Sequence, residues 1–420
     1  MKKYRIILWI ALLSVIGLTF QIHAAEKAVT VQFWHAMGGR NGDILQSLVD
    51  DFNKSQSKVN VELQFQGNYY LLQEKFMAAI AAGNPPTLIQ LPIEGTGVFG
   101  PTGALADLSS YVDKDPKVNP DTFLDGLLAD SKHQNKFLAI PFNRSTPLLY
   151  YNKDCFVKAG LNPNSPPATW EKLLEYSKKL TKKNKNGRVL TYGYSPIIHW
   201  WLVAPMIWSY GGEIADSATQ QVLFNSQKVA FCLDFLSDMV NTYRVAKINA
   251  GAVFGAWDRT IQDFNQGRVA MYIGSSGDLA KITANFGATF VPRFEGHRNT
   301  VPNGGGSLFV AEKASKDKKD AAWEVISYFV SPAVQATWSR ETGYMPVNKA
   351  ALELPEMKKF YREKPNYKVA VDQLKYAHSI PSSENFLDVI KNFESAMQEI
   401  IISDTPASGV LKEAAQKLKK

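Results

Sequence analysis

Residues 29–91 read VTVQFWHAMGGRNGDILQSLVDDFNKSQSKVNVELQFQGNYYLLQEKFMAAIAAGNPPTLIQL, and this stretch decides the fold. Val29 to Phe33 is a short β-prone run that ends on Trp34 and His35. Ile44, Leu45, Leu48, Val49 and Phe52 then recur at helical spacing and share one face. Val59, Val61, Leu63 and Phe65 alternate with Asn60, Glu62 and Gln64, the period-two pattern of a strand with one buried side. Leu71, Leu72, Phe76, Met77 and Ile80 restore helical spacing until Gly83-Asn84-Pro85-Pro86 stops it, and Thr87 to Leu91 supplies a third strand. The order β-α-β-α-β predicts a largely parallel sheet with helices on both faces. Open sheets of that kind take ligands in the crevice beyond the carboxyl ends of their strands. The loops at that end are Trp34 to Gly39, Gly67-Asn68-Tyr69 and the stretch around Glu94, all polar or aromatic.

Upstream of this stretch, Lys2, Lys3 and Arg5 precede an apolar run from Ile6 to Phe20, and His23-Ala24-Ala25 brings small residues near a plausible cleavage point. This is the plan of a secretory leader over residues 1–25. The apolar run is shorter than the roughly 20 residues a membrane-spanning helix needs. No Cys near the cleavage point invites lipid attachment. Export to the periplasm, through a cleaved signal peptide, is the expectation. Removing the leader takes three basic and no acidic residues, so the net charge of +8 becomes +5. The basic runs at Lys178-Lys179, Lys182 to Lys185 and Lys417 to Lys420 read as solvated surface, and no nucleic-acid partner is expected. The 420 residues, 45% hydrophobic and 20% charged, imply two to three folding units with sizeable cores.

Downstream, Pro141 to Pro147 reads as a boundary, followed by a strand from Leu148 to Tyr151. Thr169 caps a helix that carries Leu173, Leu174, Tyr176 and Leu180, and 182–188 reads as a polar loop. His199-Trp200-Trp201 opens an aromatic-rich segment that runs to Trp208. Further helices are expected over Val229 to Met239, Ala321 to Val330 and Phe386 to Ile401. Strands are expected over Val269 to Ile273 and Phe286 to Val291, and glycine runs follow at Gly274 to Gly277 and Gly304 to Gly306. There are two Cys, Cys155 and Cys232. Free, buried thiols are the preferred reading, and a disulfide stays open in an oxidising compartment.

Reaction chemistry is hard to find. Gly95-Thr96-Gly97-Val98-Phe99-Gly100 matches GxGxxG, but Pro101-Thr102-Gly103 follows where a helix should continue. There is no GxSxG elbow and no Walker motif. His133, His199, His297 and His378 are widely separated and lack metal-ligand spacing. No motif pairs two carboxylates as a glycosidase requires. No cofactor, no metal and no enzyme activity is expected.

Several motifs then resemble one family. They are Phe33-Trp34-His35-Ala36-Met37, Gly67-Asn68-Tyr69, Pro141-Phe142-Asn143-Arg144-Ser145-Thr146-Pro147, Leu149-Tyr150-Tyr151-Asn152-Lys153-Asp154, Ala168-Thr169-Trp170-Glu171-Lys172-Leu173, Gln266 to Met271 and Thr342-Gly343-Tyr344-Met345-Pro346. In this order the chain is similar to the extracellular solute-binding proteins (family 1) of bacterial ABC importers, over about residues 29–350. The Trp-His opening, the Gly-Asn-Tyr motif and the Asn-x-Ser-Thr-Pro motif resemble the glycerol-phosphate branch. The resemblance implies an α/β, two-lobed periplasmic-binding-protein fold of type II, with a ligand cleft between lobes joined by hinge segments. It implies one lobe of 26–141 with 277–335, a second of 145–273 with 345–420, and hinges near 142–147, 272–277 and 335–345. It implies capture of glycerol-3-phosphate or a glycerophosphodiester such as glycerophosphocholine, and delivery to an inner-membrane permease and its ATPase. No oligomer signal is present, and a monomer is expected.

Residue by residue, the resemblance assigns ligand contact to Tyr69, Ser145, Ser275, Gly305 and Tyr344. Hydroxyls and backbone N–H groups suit a phosphate and glycerol hydroxyls. The same residues also have ordinary readings: Ser145 and Ser275 as turn caps, Gly305 as a positive-φ position, Tyr344 as packing. A glutamate after the third strand accepts from glycerol hydroxyls in the family, and Glu94 is the candidate, although ungapped alignment puts Ile93 there. The family's phosphate-contacting arginine in the C-terminal section has no counterpart in Ile380 to Phe386. Arg144 is the expected replacement by position. Trp34, Trp200 and Trp201 are expected to offer ring faces, to a quaternary ammonium if the ligand carries one. Two rivals remain: the same fold binding a neutral sugar, which the nine Trp favour, and a secreted hydrolase.

Overall fold

The computed structural model of the chain describes residues 27–216, 219, 221–380 and 383–418. The expected leader lies outside the described residues. The opening segment folds in the expected order, as β1 (Val29–His35), α1 (Gly39–Ser55), β2 (Val59–Phe65), α2 (Tyr69–Ala81) and β3 (Leu88–Pro92). α1 buries Leu45, Leu48, Val49 and Phe52, the apolar face its spacing defines. α2 begins at Asn68, whose side chain accepts the Leu71 N–H and satisfies a donor left free at the helix start. β2 and β3 flank β1 in parallel. The next neighbour comes from far along the chain: Gly304–Val310 runs antiparallel to β3, and Ile140–Ser145 closes the five-stranded sheet beyond it. Every residue of β3 is buried, as a central strand covered on both faces requires.

A second, three-stranded antiparallel sheet has Pro147–Asn152 at its centre, between Met271–Ser275 and Phe286–Thr289. Only Thr146 separates the two sheets where the chain first passes between them. The resulting two lobes have separate cores. Val31, Phe33, Leu88, Phe142 and Leu308 belong to one, and Leu149, Tyr150, Met271, Ile273 and Phe393 to the other. The helices Gln227–Val240, Phe386–Ser403 and Ala407–Lys417 pack on one another in the second lobe.

Sheet pairing moves one expected boundary. A return to the first lobe at 272–277 would put Phe286–Thr289 there, yet that strand pairs with Pro147–Asn152. The return runs instead through 290–303, where Val301-Pro302 pairs with Ala377-His378. Ser276 to Lys281 is a tight 3-10 turn that keeps the chain on the second sheet. A second expected boundary moves too. Past 345 the chain stays with the first lobe: the Met345 N–H donates to the Arg144 carbonyl at 2.7 Å, Val347 enters that lobe's core, and Met357 and Tyr361 pack on Ala336. It reaches the second sheet only at Asn366, which bonds the backbone of Phe286 and Ala288.

Smaller differences are local. The polar loop at 182–188 is a short hairpin, Lys182–Lys183 with Val189–Thr191. The glycine run at 304 is the start of a strand, Gly304–Val310. The GxGxxG match forms a helix of only five residues, Gly95–Phe99, that ends against Pro101. Cys155 and Cys232 are both free thiols, Cys232 buried and Cys155 partly so.

Candidate functional site: an aromatic cleft between the lobes

A cleft of about 620 Å³ lies at the carboxyl ends of β1, β2 and β3 and extends to the second lobe. That is the size of a small-molecule site. Tyr69, Glu94, Ser145, Trp200, Trp201, Ser275, Gly305 and Tyr344 all line it. They come from seven separate segments, which the two-lobed fold alone brings together.

Each is held by its neighbours. The Asn143 side-chain amide donates to Tyr69 Oη at 2.9 Å while its own oxygen accepts from Gln90 at 2.7 Å, which leaves the Tyr69 O–H able to donate into the cleft. The Ser275 Oγ accepts the Gly277 N–H at 3.1 Å, so it caps the turn as an ordinary reading expects and keeps its own proton to give. Ser145 sits at the end of Ile140–Ser145, 2% exposed. The Tyr344 ring stacks on Trp338 at 5.7 Å and lies over Gly277. Gly305 has φ +79°, and a Cβ there would meet the Asn143 carbonyl oxygen at 1.7 Å. No other residue allows the backbone at that place. Glu94 is 4% exposed, and burial pushes its carboxyl up to about 7. Ile93, the alternative register, also lines the cleft.

Trp200 and Trp201 open a helix, Trp200–Ser209, capped by His199. The Trp201 Nε1 donates to the Asn303 carbonyl at 2.8 Å. Trp200 packs edge-on against Phe386 at 5.2 Å. Both are largely buried, with an edge left to the cleft.

Two expected site residues lie elsewhere. Trp34 donates through Nε1 to Gln64 at 2.6 Å and packs beside the cluster of Leu72, Phe76 and Phe99, outside the lining. Arg144 is 0% exposed and spends its guanidinium on Asp130, with two bonds of 2.8 Å, and on the Leu127 carbonyl at 3.1 Å. A buried guanidinium needs a counter-charge, and Asp130 supplies it on the side away from the cleft. Arg144 therefore does not stand in for the missing C-terminal arginine.

Sequence reasoning missed a ring cluster on the lining: Tyr70, His199, Phe254 and Trp257. Phe254 and Trp257 lie nearly parallel, 6.4 Å apart and 8° from coplanar. Tyr70 meets Phe254 edge-on at 5.7 Å, and His199 meets Trp257 at 5.8 Å. The Trp257 Nε1 donates to Asp278 at 2.8 Å. Phe254 and Trp257 lie on a helix, Val253–Asn265, whose i, i+3 spacing was the available signal.

The charge balance of the cleft is its chief chemical feature. Among the described lining residues, Arg40 and Lys281 carry the fixed positive charges. Arg40 pairs with Glu341 at 2.8 Å, and Lys281 lies 3.7 Å from Asp258. Burial pushes His35 down to about 4 and His199 to about 3, so both are neutral at pH 7. The lining thus offers hydroxyl and N–H donors, ring faces and buried carboxyls, with no cation left unpaired. Among the described residues no group of three or more His, Cys, Asp or Glu is placed to hold a metal ion, and no helix is long and apolar enough to cross a membrane.

Residues 47–368 match the family model described as bacterial extracellular solute-binding protein. The chain is 32% identical over 379 residues to the sn-glycerol-3-phosphate-binding periplasmic protein UgpB of Yersinia pestis, covering 86% of this chain and 83% of that one. Against the protein of the same name from Rhizobium meliloti it is 31% identical over 371 residues, covering 85% and 84%. Among solved structures, UgpB from Mycobacterium tuberculosis in complex with glycerophosphocholine superposes with a TM-score of 0.82, at 22% identity, over 93% of this chain and 98% of that one. Maltose-bound MalE3 of T. maritima gives a TM-score of 0.82 at 21% identity, over 93% and 99%. The α/β two-lobed fold with a cleft between its lobes is the fold these binding proteins share, and the chain belongs to the bacterial extracellular solute-binding protein family.

Proposed function

We propose that this protein is the periplasmic capture component of an ABC importer for glycerol-phosphate solutes, and that it prefers a glycerophosphodiester with a cationic headgroup, such as glycerophosphocholine, over glycerol-3-phosphate. One observation carries the preference: among the described residues no cation on the cleft lining is unpaired. A phosphate monoester is close to a dianion at pH 7 and gains most from an arginine fork. A diester carries a single negative charge, which the Tyr69, Ser145 and Ser275 hydroxyls and the Gly305 N–H can satisfy. Its quaternary ammonium suits the Tyr70, Phe254 and Trp257 faces. Glu94 accepts from glycerol hydroxyls in this reading. The protein catalyses no reaction and hands its ligand to a membrane permease driven by an ATPase.

The test is isothermal titration of the protein, stripped of carried ligand by unfolding and refolding, in phosphate-free buffer. Glycerophosphocholine should bind more tightly than glycerol-3-phosphate, and both should be recovered unchanged. Turnover of either would overthrow the binding role. A second reading, a neutral sugar, is favoured by the same rings, since flat faces stack on sugar rings. Silence with both phosphate compounds and heat with maltose would establish it.

A further inference from the structure

Helix α2 of the first lobe touches the helix Phe386–Ser403 of the second across one side of the cleft. The Tyr70 O–H donates to Glu394 Oε1 at 2.9 Å. The same oxygen accepts the Trp200 N–H at 3.0 Å. One turn away, Lys391 approaches Glu74 at 3.5 Å. His199 extends the chain of bonds. Its Nδ1 accepts the Trp201 N–H at 3.2 Å, so in the neutral ring the proton sits on Nε2, which faces Tyr70 Oη at 3.4 Å. Tyr70 therefore receives from one residue of the second lobe and donates to another. Its ring lies parallel to that of His199, 4° from coplanar. Glu394 is 9% exposed and is absent from the cleft lining.

A buried carboxylate needs its bonds supplied, and here one of two supplied bonds comes from the opposite lobe. Separating the lobes removes the Tyr70 donor and covering ring together. Tyr70 follows Tyr69 at the start of α2, so the same contact fixes the segment that presents Tyr69 to the cleft.

We propose that Tyr70 and Glu394, one from each lobe, form a latch that completes closure of the cleft, so that Glu394 governs how long a ligand is held without lining the site. The inference rests on the binding reading above. Closed lobes with a latch release ligand slowly, because opening must break a hydrogen bond to a charged or shared-proton group before the ligand leaves. The charged and titratable groups facing Glu394 are Tyr70, His199 and Glu94, with Lys391 on its own helix. Burial raises the Glu394 carboxyl to about 7. Closure that buries it therefore favours its protonated form, and holding should weaken as pH rises from 6 to 8.

The experiment is stopped-flow dissociation of glycerophosphocholine from the wild type, Tyr70→Phe, Glu394→Gln and the double variant, with small-angle scattering of each protein without ligand. Expected are off-rates raised about tenfold in each single variant, a double variant no faster than the singles, and a shallower pH dependence in Glu394→Gln. Unchanged off-rates, or single effects that multiply in the double variant, would overturn the latch. Thermal midpoints report folding separately: a merely structural Glu394 would lower the midpoint and leave its effect independent of Tyr70. If the wild type binds neither phosphate compound, the ligand reading has failed and scattering still decides. A larger radius of gyration for unliganded Tyr70→Phe supports the latch, and an unchanged one refutes it.

Discussion

Arg144 and Asp130 meet side by side, Nη1 to Oδ2 and Nη2 to Oδ1, each at 2.8 Å, with the guanidinium wholly buried. The strand Ile140–Ser145 sorts its residues by alternation. Asn143 and Ser145 serve the cleft, the first through Tyr69 and the second directly. Arg144 between them points the other way. Proximity in sequence to two cleft residues is what excludes it from the cleft.

Removing one partner of a buried ion pair strands the other. Arg144→Met should cost about 3 kcal/mol of stability, read as a lower urea midpoint. Affinity of the folded variant for glycerol-3-phosphate should change less than about threefold. A large loss of affinity with little loss of stability would return Arg144 to the site.

Gly305 is constrained twice, by its left-handed φ and by the Asn143 carbonyl 1.7 Å from where a Cβ would sit. Alanine must push apart the strands Gly304–Val310 and Ile140–Ser145, which pair at this point. Gly305→Ala should cost about 3 kcal/mol or more, while Gly409→Ala, with open space around it, should cost almost nothing. Equal melting of the two variants would contradict this account.

How much was legible in the sequence follows from which forces are local. The β-α-β-α-β opening was readable because periodicity and stop signals are written within single elements. Thr169 capping was readable for the same reason, and its side chain does accept the Lys172 N–H. Two things were not local. The antiparallel insertion of Gly304–Val310 beside β3 joins residues over 200 positions apart. The ring cluster needs Tyr70 of one lobe beside Phe254 and His199 of the other. Glu394 sits mid-helix among apolar residues, where the residue type alone does not reveal Tyr70 across the cleft. The family motifs located most of the lining because they carry tertiary information that residue patterns lack. They failed at Trp34, whose neighbour His35 faces the buried side of β1 while the indole turns to Gln64 on β2.

Buried acids make stability depend on pH with a definite sign. Burial pushes Glu94 up to about 7, from 4.5 in the unfolded chain. Between those values the folded state holds a proton that the unfolded state has released, so stability falls as pH rises through this window. His35 and His199 act in the opposite sense, but only below their unfolded value of 6.5. Glu94→Gln should therefore be more stable than the wild type at pH 7.5, by about 3 kcal/mol, and match it near pH 4. Parallel melting curves across pH 4 to 8 would show that Glu94 is solvated in the free protein.

The ring cluster separates the two phosphate ligands experimentally. Phe254 is half-buried, lines the cleft and stands parallel to Trp257, with Tyr70 edge-on beside it. A quaternary ammonium over such faces gains about 1–2 kcal/mol when desolvated. Leucine keeps apolar bulk but lacks the negative ring face. Phe254→Leu should weaken glycerophosphocholine about tenfold and leave glycerol-3-phosphate within about twofold, because the monoester has no group to place there. A parallel loss for both ligands would mean that Phe254 shapes the cleft rather than recognising the headgroup. An effect on maltose alone would transfer the rings to the stacking of a sugar.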